Sequence, residues 1–278
     1  MNLFYSYSSL LGRRMVKCEW NLNQYICPSL SPLKTNSRNI KVFANSSEPN
    51  GASISVAGAD GSWSSYLSRE SPISGSMEQV MVEYVFGRKK ATEVAHYVWK
   101  QVVQKGDAVV DATCGNGYDT LALLRMVADS TGRGRVYGMD VQKIALESTS
   151  SLLDQFASPD EKELVELFVM CHSQIEDIVP NDVAVRLVAF NLGYLPGGDK
   201  KLITRSETTV LALEAAKRIL APGGLISIVT YVGHPGGREE FEKIEGFASG
   251  LPVESWNCCK LQLLNRPLAP ILIFLFKR

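Results

Sequence analysis

Val109-Val110-Asp111-Ala112-Thr113-Cys114-Gly115-Asn116-Gly117-Tyr118-Asp119-Thr120 decides the fold. An apolar run ends in an acid, crosses a glycine turn and enters a helix. That is the first strand, loop and helix of a doubly wound nucleotide-binding sheet. Gly115 and Gly117 let the backbone take dihedrals that a side chain forbids and approach a ligand closely. A dinucleotide loop reads Gly-x-Gly-x-x-Gly, and its third glycine lets the pyrophosphate-bearing helix pack tightly. Here Thr120 holds that third position and Asp111 closes the strand. A carboxylate there repels a pyrophosphate and suits a cationic ligand such as S-adenosylmethionine, with its sulfonium and ammonium groups. Asp111, Thr113, Gly115, Asn116, Gly117, Asp119 and Thr120 are therefore the expected donor-binding loop.

Downstream, Thr120 to Asp129 reads as a helix with Leu121, Leu124 and Val127 on one face. Gly134 to Asp140 reads as a second strand that again ends in an acid. An acid some twenty residues after the glycine loop accepts hydrogen bonds from ribose hydroxyls, and Asp140 is expected in that role beside Gln142. The alternative is that Asp140 caps the helix beginning near Gln142. His172, after the third strand, falls where the adenine ring lies in such sheets.

The rest alternates strands and helices. Helices are expected over Glu78–Phe86 and Thr92–Val103, then a strand over Ala108–Asp111. After the second strand come a helix over Val141–Phe156, a strand over Leu164–Met170 and a short helix over Gln174–Ile178. Val183–Phe190 is apolar enough for a central parallel strand. A helix over Ser206–Leu220 is stopped by Pro222-Gly223-Gly224, and Leu225–Tyr231 is the fifth strand. A helix over Glu239–Ala248 precedes a closing pair of strands, Val253–Leu263 and Ile271–Phe276. This is the plan of an α/β, class I (Rossmann-like) seven-stranded methyltransferase sheet with helices on both faces, over residues 77–278. No local pattern encodes the order of the strands in the sheet.

The second chemical motif is Phe190-Asn191-Leu192-Gly193-Tyr194-Leu195-Pro196-Gly197-Gly198-Asp199-Lys200, at the end of the fourth strand. Open α/β sheets place their ligands in that crevice. Asn-Leu-Gly-Tyr resembles the Asn-Pro-Pro-Tyr motif of methyltransferases that act on amino nitrogens. An asparagine oxygen and a nearby carbonyl can accept hydrogen bonds from an NH₂ group and hold its lone pair toward a methyl donor. Tyr194 can stack on a planar base. Leu195 to Asp199 reads as a tight turn.

The first residues are of another kind. Up to Ser47 there is one acid, Glu19, against six basic residues, and serine is frequent. Acid-poor, basic and serine-rich is the composition of an organelle transit peptide, expected over 1–47; the alternative is a tail with no address. A Ser/Gly/Ala-rich linker is expected over 48–76. No stretch approaches the roughly 20 apolar residues that span a bilayer. The six cysteines, Cys18, Cys27, Cys114, Cys171, Cys258 and Cys259, form no Cys-x-x-Cys pair and no zinc spacing, so buried free thiols are expected and no metal. Nothing in the residue pattern specifies an oligomeric state.

From Met77 onward the chain resembles the rRNA methylase family of small bacterial class I methyltransferases and their plant relatives. The resemblance rests on Asp-Ala-Thr-Cys-Gly-Asn-Gly-Tyr-Asp-Thr (111–120), Phe-Asn-Leu-Gly-Tyr-Leu-Pro-Gly-Gly-Asp-Lys (190–200) and Glu-Thr-Thr (207–209). Leu-Ala-Pro-Gly-Gly (220–224) and Gly-His-Pro-Gly-Gly-Arg-Glu-Glu (233–240) extend it. It implies S-adenosylmethionine as donor and transfer RNA as substrate. The wobble 5-aminomethyl-(2-thio)uridine would become 5-methylaminomethyl-(2-thio)uridine, in the chloroplast or, alternatively, the mitochondrion. Bacterial members carry His where Tyr118 stands, which weakens a catalytic role there.

Asn191, Tyr194 and His234 are the expected catalytic residues, with Asn191 also beside the donor. His234 lies in the loop after the fifth strand and can reach the substrate, although an alkylamine that enters neutral needs no dedicated base. The formal charge is zero, and from residue 77 on there are 22 lysines and arginines against 25 acids, so RNA must be held by local patches. Lys200, Lys201 and Arg205 flank the expected pocket, together with Tyr194 and His234; Arg88-Lys89-Lys90 is a second basic group. Rival readings are an N-methyltransferase of rRNA or of a small-molecule amine, a donor-binding partner subunit, and an NAD-binding oxidoreductase.

Overall fold

The computed structural model of the chain describes residues 75–199 and 201–278. The expected transit segment, the linker up to residue 74 and Lys200 lie outside the described residues. Helix α1 (Gly75–Val85) takes in two residues that the sequence reading assigned to the linker. Helix α2 (Ala91–Val102) follows, burying Ala91, Val94, Ala95 and Trp99 at helical spacing.

Strands β1 (Ala108–Asp111), β2 (Arg135–Asp140), β3 (Val165–Val169) and β4 (Val185–Asn191) alternate with helices α3 (Tyr118–Val127), α4 (Lys143–Phe156) and α6 (Ile175–Ile178). A 3-10 turn at His172–Gln174 leads into α6. The single turn α5 (Pro159–Lys162) is absent from the sequence reading although its signal is legible. Ser158 and Glu161 form a reciprocal capping box around Pro159.

Helix α7 (Ser206–Ile219) leads into β5 (Leu220–Thr230), which begins five residues earlier than expected. Pro222-Gly223-Gly224 does not precede this strand; it is an irregularity inside it. Leu220 pairs with Val185 and Leu225 with Leu187, so the intervening residues bulge out of register. Arg186 donates to the Pro222 carbonyl at 3.1 Å, and Gly223 takes φ +73°. Helix α8 (Gly237–Ser249) and strands β6 (Trp256–Leu261) and β7 (Ile271–Lys277) complete the chain.

The seven strands lie in the order β3-β2-β1-β4-β5-β7-β6. The first five are parallel, and β7 runs antiparallel between β5 and β6. Neighbouring residues alternate between two cores, as the two-residue period of a strand requires. Val110, Tyr137, Val188, Phe190 and Ile226 face the side covered by α6, α7 and α8. Val109, Val136, Leu187, Ala189 and Leu225 face α1, α2 and α3. Strand order reverses between β1 and β4, so their C-terminal ends open a crevice at the switch point. The glycine loop leaves β1 there and the Asn191 segment leaves β4.

Candidate active site

A cavity of about 1230 Å³ occupies that crevice. It exceeds the roughly 300–1,000 Å³ that one small ligand fills, leaving room for a methyl donor and an acceptor side by side. Thr113, Gly115, Asn116, Asp119, Asp140, Gln142, His172, Asn191, Tyr194, Lys201, Arg205 and His234 all line it. Asp111, Gly117 and Thr120 do not. The reading of Asp111 as a direct contact of the cationic ligand is therefore revised. Its side chain is fully buried beneath the loop and organises it.

Asp111 Oδ2 accepts from Thr120 Oγ1 at 2.6 Å, and Oδ1 accepts from the Thr113 amide at 3.2 Å. Thr113 Oγ1 in turn accepts from the Asn191 amide at 2.7 Å, tying the tip of β1 to the tip of β4. Burial, reinforced by the nearby Asp119 charge and opposed by the Thr120 and Thr113 hydrogen bonds, pushes the Asp111 carboxyl up to about 7. Gly117 earns its place sterically. Its φ is +85°, and a Cβ there would come within 2.8 Å of Thr149 Cα. The same helix reaches the loop through Thr149 Oγ1, which donates to the Gly115 carbonyl at 3.2 Å.

Asp140 ends β2 as expected. Its Oδ2 accepts from the Gly115 amide at 3.1 Å and its Oδ1 from the Gln142 amide at 2.9 Å. The N-cap of α4 is Gln142 rather than Asp140, so the carboxylate supports the turn before the helix while facing the cavity. Burial raises the Asp140 carboxyl, against the lowering effect of those two amides. His172 is buried, held edge-on to Phe190 with ring centroids 6.0 Å apart, and its Nε2 lies 3.2 Å from Thr208 Oγ1. Burial lowers its pKa to about 4, so it presents a neutral ring at physiological pH.

Asn191 is the junction of the site. Its Nδ2 donates to Asp119 Oδ2 at 3.1 Å, while His96 Nε2 lies 2.5 Å from Asp119 Oδ1. His96, on α2, is a site residue missed by the sequence reading. It belongs to a helix upstream of the glycine loop, and nothing local marks it as different from any other half-buried histidine. Tyr194 is 41% exposed and meets His234 edge-on at 6.2 Å. His234 Nδ1 lies 3.0 Å from the Pro235 carbonyl, which can only accept, so Nδ1 carries the proton. Its Nε2 is buried and without a hydrogen-bond partner among the described residues.

A second buried carboxylate steadies this wall. Glu240 accepts from Thr209 Oγ1 at 2.6 Å and from Thr204 Oγ1 at 2.9 Å, and Thr204 Oγ1 accepts from the Gly193 amide at 2.9 Å. Thr209 and Glu240 lie in two of the sequence signatures, 207–209 and 233–240, and this contact joins them. Burial raises the Glu240 carboxyl, while the Thr209 and Thr204 hydroxyls lower it. Leu195–Asp199 is the expected turn, closed by Gly198 donating to the Leu195 carbonyl at 2.9 Å. Asn116 Nδ2 donates to the Pro196 carbonyl at 3.3 Å, fastening that turn to the glycine loop. Cys114 is buried with its thiol pKa raised chiefly by burial, which leaves it a packing residue. Among the described residues no group of three or more His, Cys, Asp and Glu could hold a metal ion, and no helix is long and apolar enough to cross a membrane.

The residues fit a cationic donor. Asp111, Asp119 and Asp140 surround the glycine loop, and both Asp119 and Asp140 act on Asp111 through their charge. A pyrophosphate would meet this acidic field with no cation in the loop to offset it. The family described as "Putative rRNA methylase" matches residues 136–277. A chloroplastic tRNA (mnm(5)s(2)U34)-methyltransferase of Arabidopsis thaliana is 67% identical over 213 residues, covering 76% of this chain and 77% of that protein. A crystal structure of an rRNA-methylase of the same description from Clostridium thermocellum shares 37% identity with a TM-score of 0.63, over 68% of this chain and 98% of that one. A "putative methyltransferase" from Streptococcus mutans in complex with SAH shares 31% identity with a TM-score of 0.59, over 68% and 99% of the two chains. With its strand order, its glycine loop and these matches, the chain belongs to this rRNA methylase family and has the class I methyltransferase fold.

Proposed function

We propose that the chain is an S-adenosylmethionine-dependent N-methyltransferase that converts 5-aminomethyl-(2-thio)uridine at wobble position 34 of tRNA into its 5-methylaminomethyl form in the chloroplast. The observation that carries nitrogen as the acceptor atom is the hydrogen bond from Asn191 Nδ2 to Asp119. It commits the amide nitrogen to the protein and leaves Oδ1 to accept from a substrate N–H. The nucleoside and the compartment rest on the Arabidopsis relative, and the basic, serine-rich composition of 1–47 supports import.

S-adenosylmethionine would supply an electrophilic methyl on a sulfonium, held by the glycine loop, Asp140, Gln142 and the neutral His172. Asn191 Oδ1 is an acceptor in the cavity wall, able to engage one N–H bond of a primary amine and help aim its lone pair, with Tyr194 and His234 lining the same wall. The amine would enter neutral, its lone pair would form the new N–C bond as the sulfonium S–C bond breaks to leave a neutral thioether, and the resulting ammonium would give one proton to solvent. Tyr194 offers an edge and face to the base, and Lys201 and Arg205 offer charge to the phosphates beside it. Positioning of this kind supplies much of the rate in a direct displacement.

The test is single-turnover methylation of tRNA bearing the aminomethyl group, alongside unmodified tRNA, rRNA and free alkylamines. Transfer confined to the first supports the assignment. Equal transfer to unmodified tRNA, or transfer to rRNA alone, overturns it.

A further inference from the structure

Two loops far apart in sequence meet at the mouth of the cavity. A Cβ built on Gly87 would lie 3.2 Å from both terminal nitrogens of the Arg266 guanidinium, so the loop between β6 and β7 rests on the turn between α1 and α2. Lys90 from that turn and Leu268 from that loop both belong to the cavity wall. The rim they form is continuous with the candidate active site.

Its charge is out of proportion to the domain. Arg88, Lys89, Lys90 and Arg266 gather here, although acids outnumber bases from residue 77 onward. Lys89 is neutralised locally, 3.0 Å from Glu93 and 3.8 Å from Glu83. No ion pair among the described residues engages Arg88, Lys90 or Arg266. Like charges held together cost stability through mutual repulsion, and an anionic partner relieves it.

The apolar residues between these cations narrow the kind of anion. Phe86 is 63% exposed with the Arg88 guanidinium 5.6 Å over its ring, and Leu264 and Leu268 are 94% and 69% exposed. An exposed aromatic ring with Arg88 over one face, among cations that form no ion pair among the described residues, suits unstacked bases on a phosphate backbone better than it suits a free phosphate.

We propose that the rim made by Phe86, Arg88 and Lys90 with Leu264, Arg266 and Leu268 is the docking surface for the RNA stem-loop whose target base enters the cavity. This rests on the reading of the site as a tRNA methyltransferase. Arg88 and Arg266 grip backbone phosphates, and Phe86 takes the face of an unpaired base.

The experiment compares the full chain with its Arg88→Ala/Arg266→Ala double variant. Binding of aminomethyl-bearing tRNA is followed by fluorescence anisotropy from low to physiological salt. We expect at least tenfold weaker binding and a log–log salt slope reduced by about 2, as two phosphate contacts at about 0.9 each require. Arg88→Lys/Arg266→Lys should restore most of the slope, and calorimetric S-adenosylmethionine affinity should match the wild type in both variants. Unchanged tRNA affinity and slope in a folded double variant overturns the proposal. So does a loss confined to binding of anionic phosphatidylglycerol vesicles with tRNA binding intact. A wild-type chain that binds this tRNA without methylating it sinks the functional reading alone, and methylation with no effect of the substitutions sinks this surface alone.

Discussion

Asp119 and Asn191, 72 residues apart in sequence, are joined by a 3.1 Å hydrogen bond that decides which way the Asn191 amide faces. An ionised carboxylate only accepts, so the nitrogen must point to Asp119 and the oxygen is left for the substrate. Asp119 spends its other oxygen on His96. Asp119, expected at the donor, lines the cavity and also fixes the orientation of Asn191.

Asn191→Ala is expected to spare donor affinity and cut turnover by about a hundredfold, as loss of positioning does. Asp119→Asn should act through the same amide, since a neutral partner allows it to flip. The double variant should then lose little beyond the worse single one, a coupling of about 1 kcal/mol or more in a double-mutant cycle. Additive losses would show that Asp119 acts independently of Asn191. Tyr194→Phe should cost little if the ring serves by packing; a large loss would assign the proton to its hydroxyl.

Asp140→Ala should weaken S-adenosylmethionine binding by one to two orders of magnitude, about 1.4–3 kcal/mol, because a charged acceptor is lost from the cavity wall. Part of this loss comes from the Gly115 and Gln142 amides that the carboxylate also holds. Calorimetry that found unchanged affinity in the folded variant would remove Asp140 from the donor site.

Donor affinity should climb as pH rises through about 7, where buried Asp111 ionises and its new charge favours a cationic ligand. Calorimetry on the chain without tRNA isolates this from the acceptor amine, whose own deprotonation also raises turnover with pH. Asp111→Asn should flatten the dependence. A pH-independent affinity in the wild type would mean that Asp111 stays in one protonation state throughout.

Stability should carry two opposing proton linkages. The unfolded His172 takes a proton below 6.5 while the folded one resists until about 4, so stability is lost as pH falls across that window, by up to roughly 3 kcal/mol. Folded Asp111 keeps its proton to about 7 while the unfolded carboxyl releases it near 3.8, so stability is lost as pH rises across that range. Their slopes oppose each other between pH 4 and 6.5. Denaturant titrations of His172→Gln should therefore tilt toward falling stability with rising pH, and those of Asp111→Asn toward the reverse. Parallel pH profiles for the two variants would contradict both assignments.

Removing residues 1–70 should leave folding and methylation unchanged within about twofold, because their composition is that of a transit segment and linker. Residues 1–57 fused to a fluorescent reporter should enter the chloroplast. A reporter that stayed in the cytosol would count against the address.

Apart from α5 and the start of β5, the succession of elements was legible locally, because apolar period and glycine, proline and aspartate punctuation are local signals. The acids at the ends of β1 and β2 and the Asn191 motif were visible for the same reason, since each sits within a few residues of a recognisable strand end. Only the tertiary structure decided how those strand ends combine. Putting β1 beside β4 brings Thr113 to Asn191 and Asp119 to its amide, and inserting β7 between β5 and β6 seals the sheet. It moved Asp111 from ligand contact to buried organiser, since a carboxylate's exposure depends on what packs over it. It also brought in His96 and Thr204, whose contacts to Asp119 and Glu240 span 23 and 36 residues and leave no trace in any local pattern.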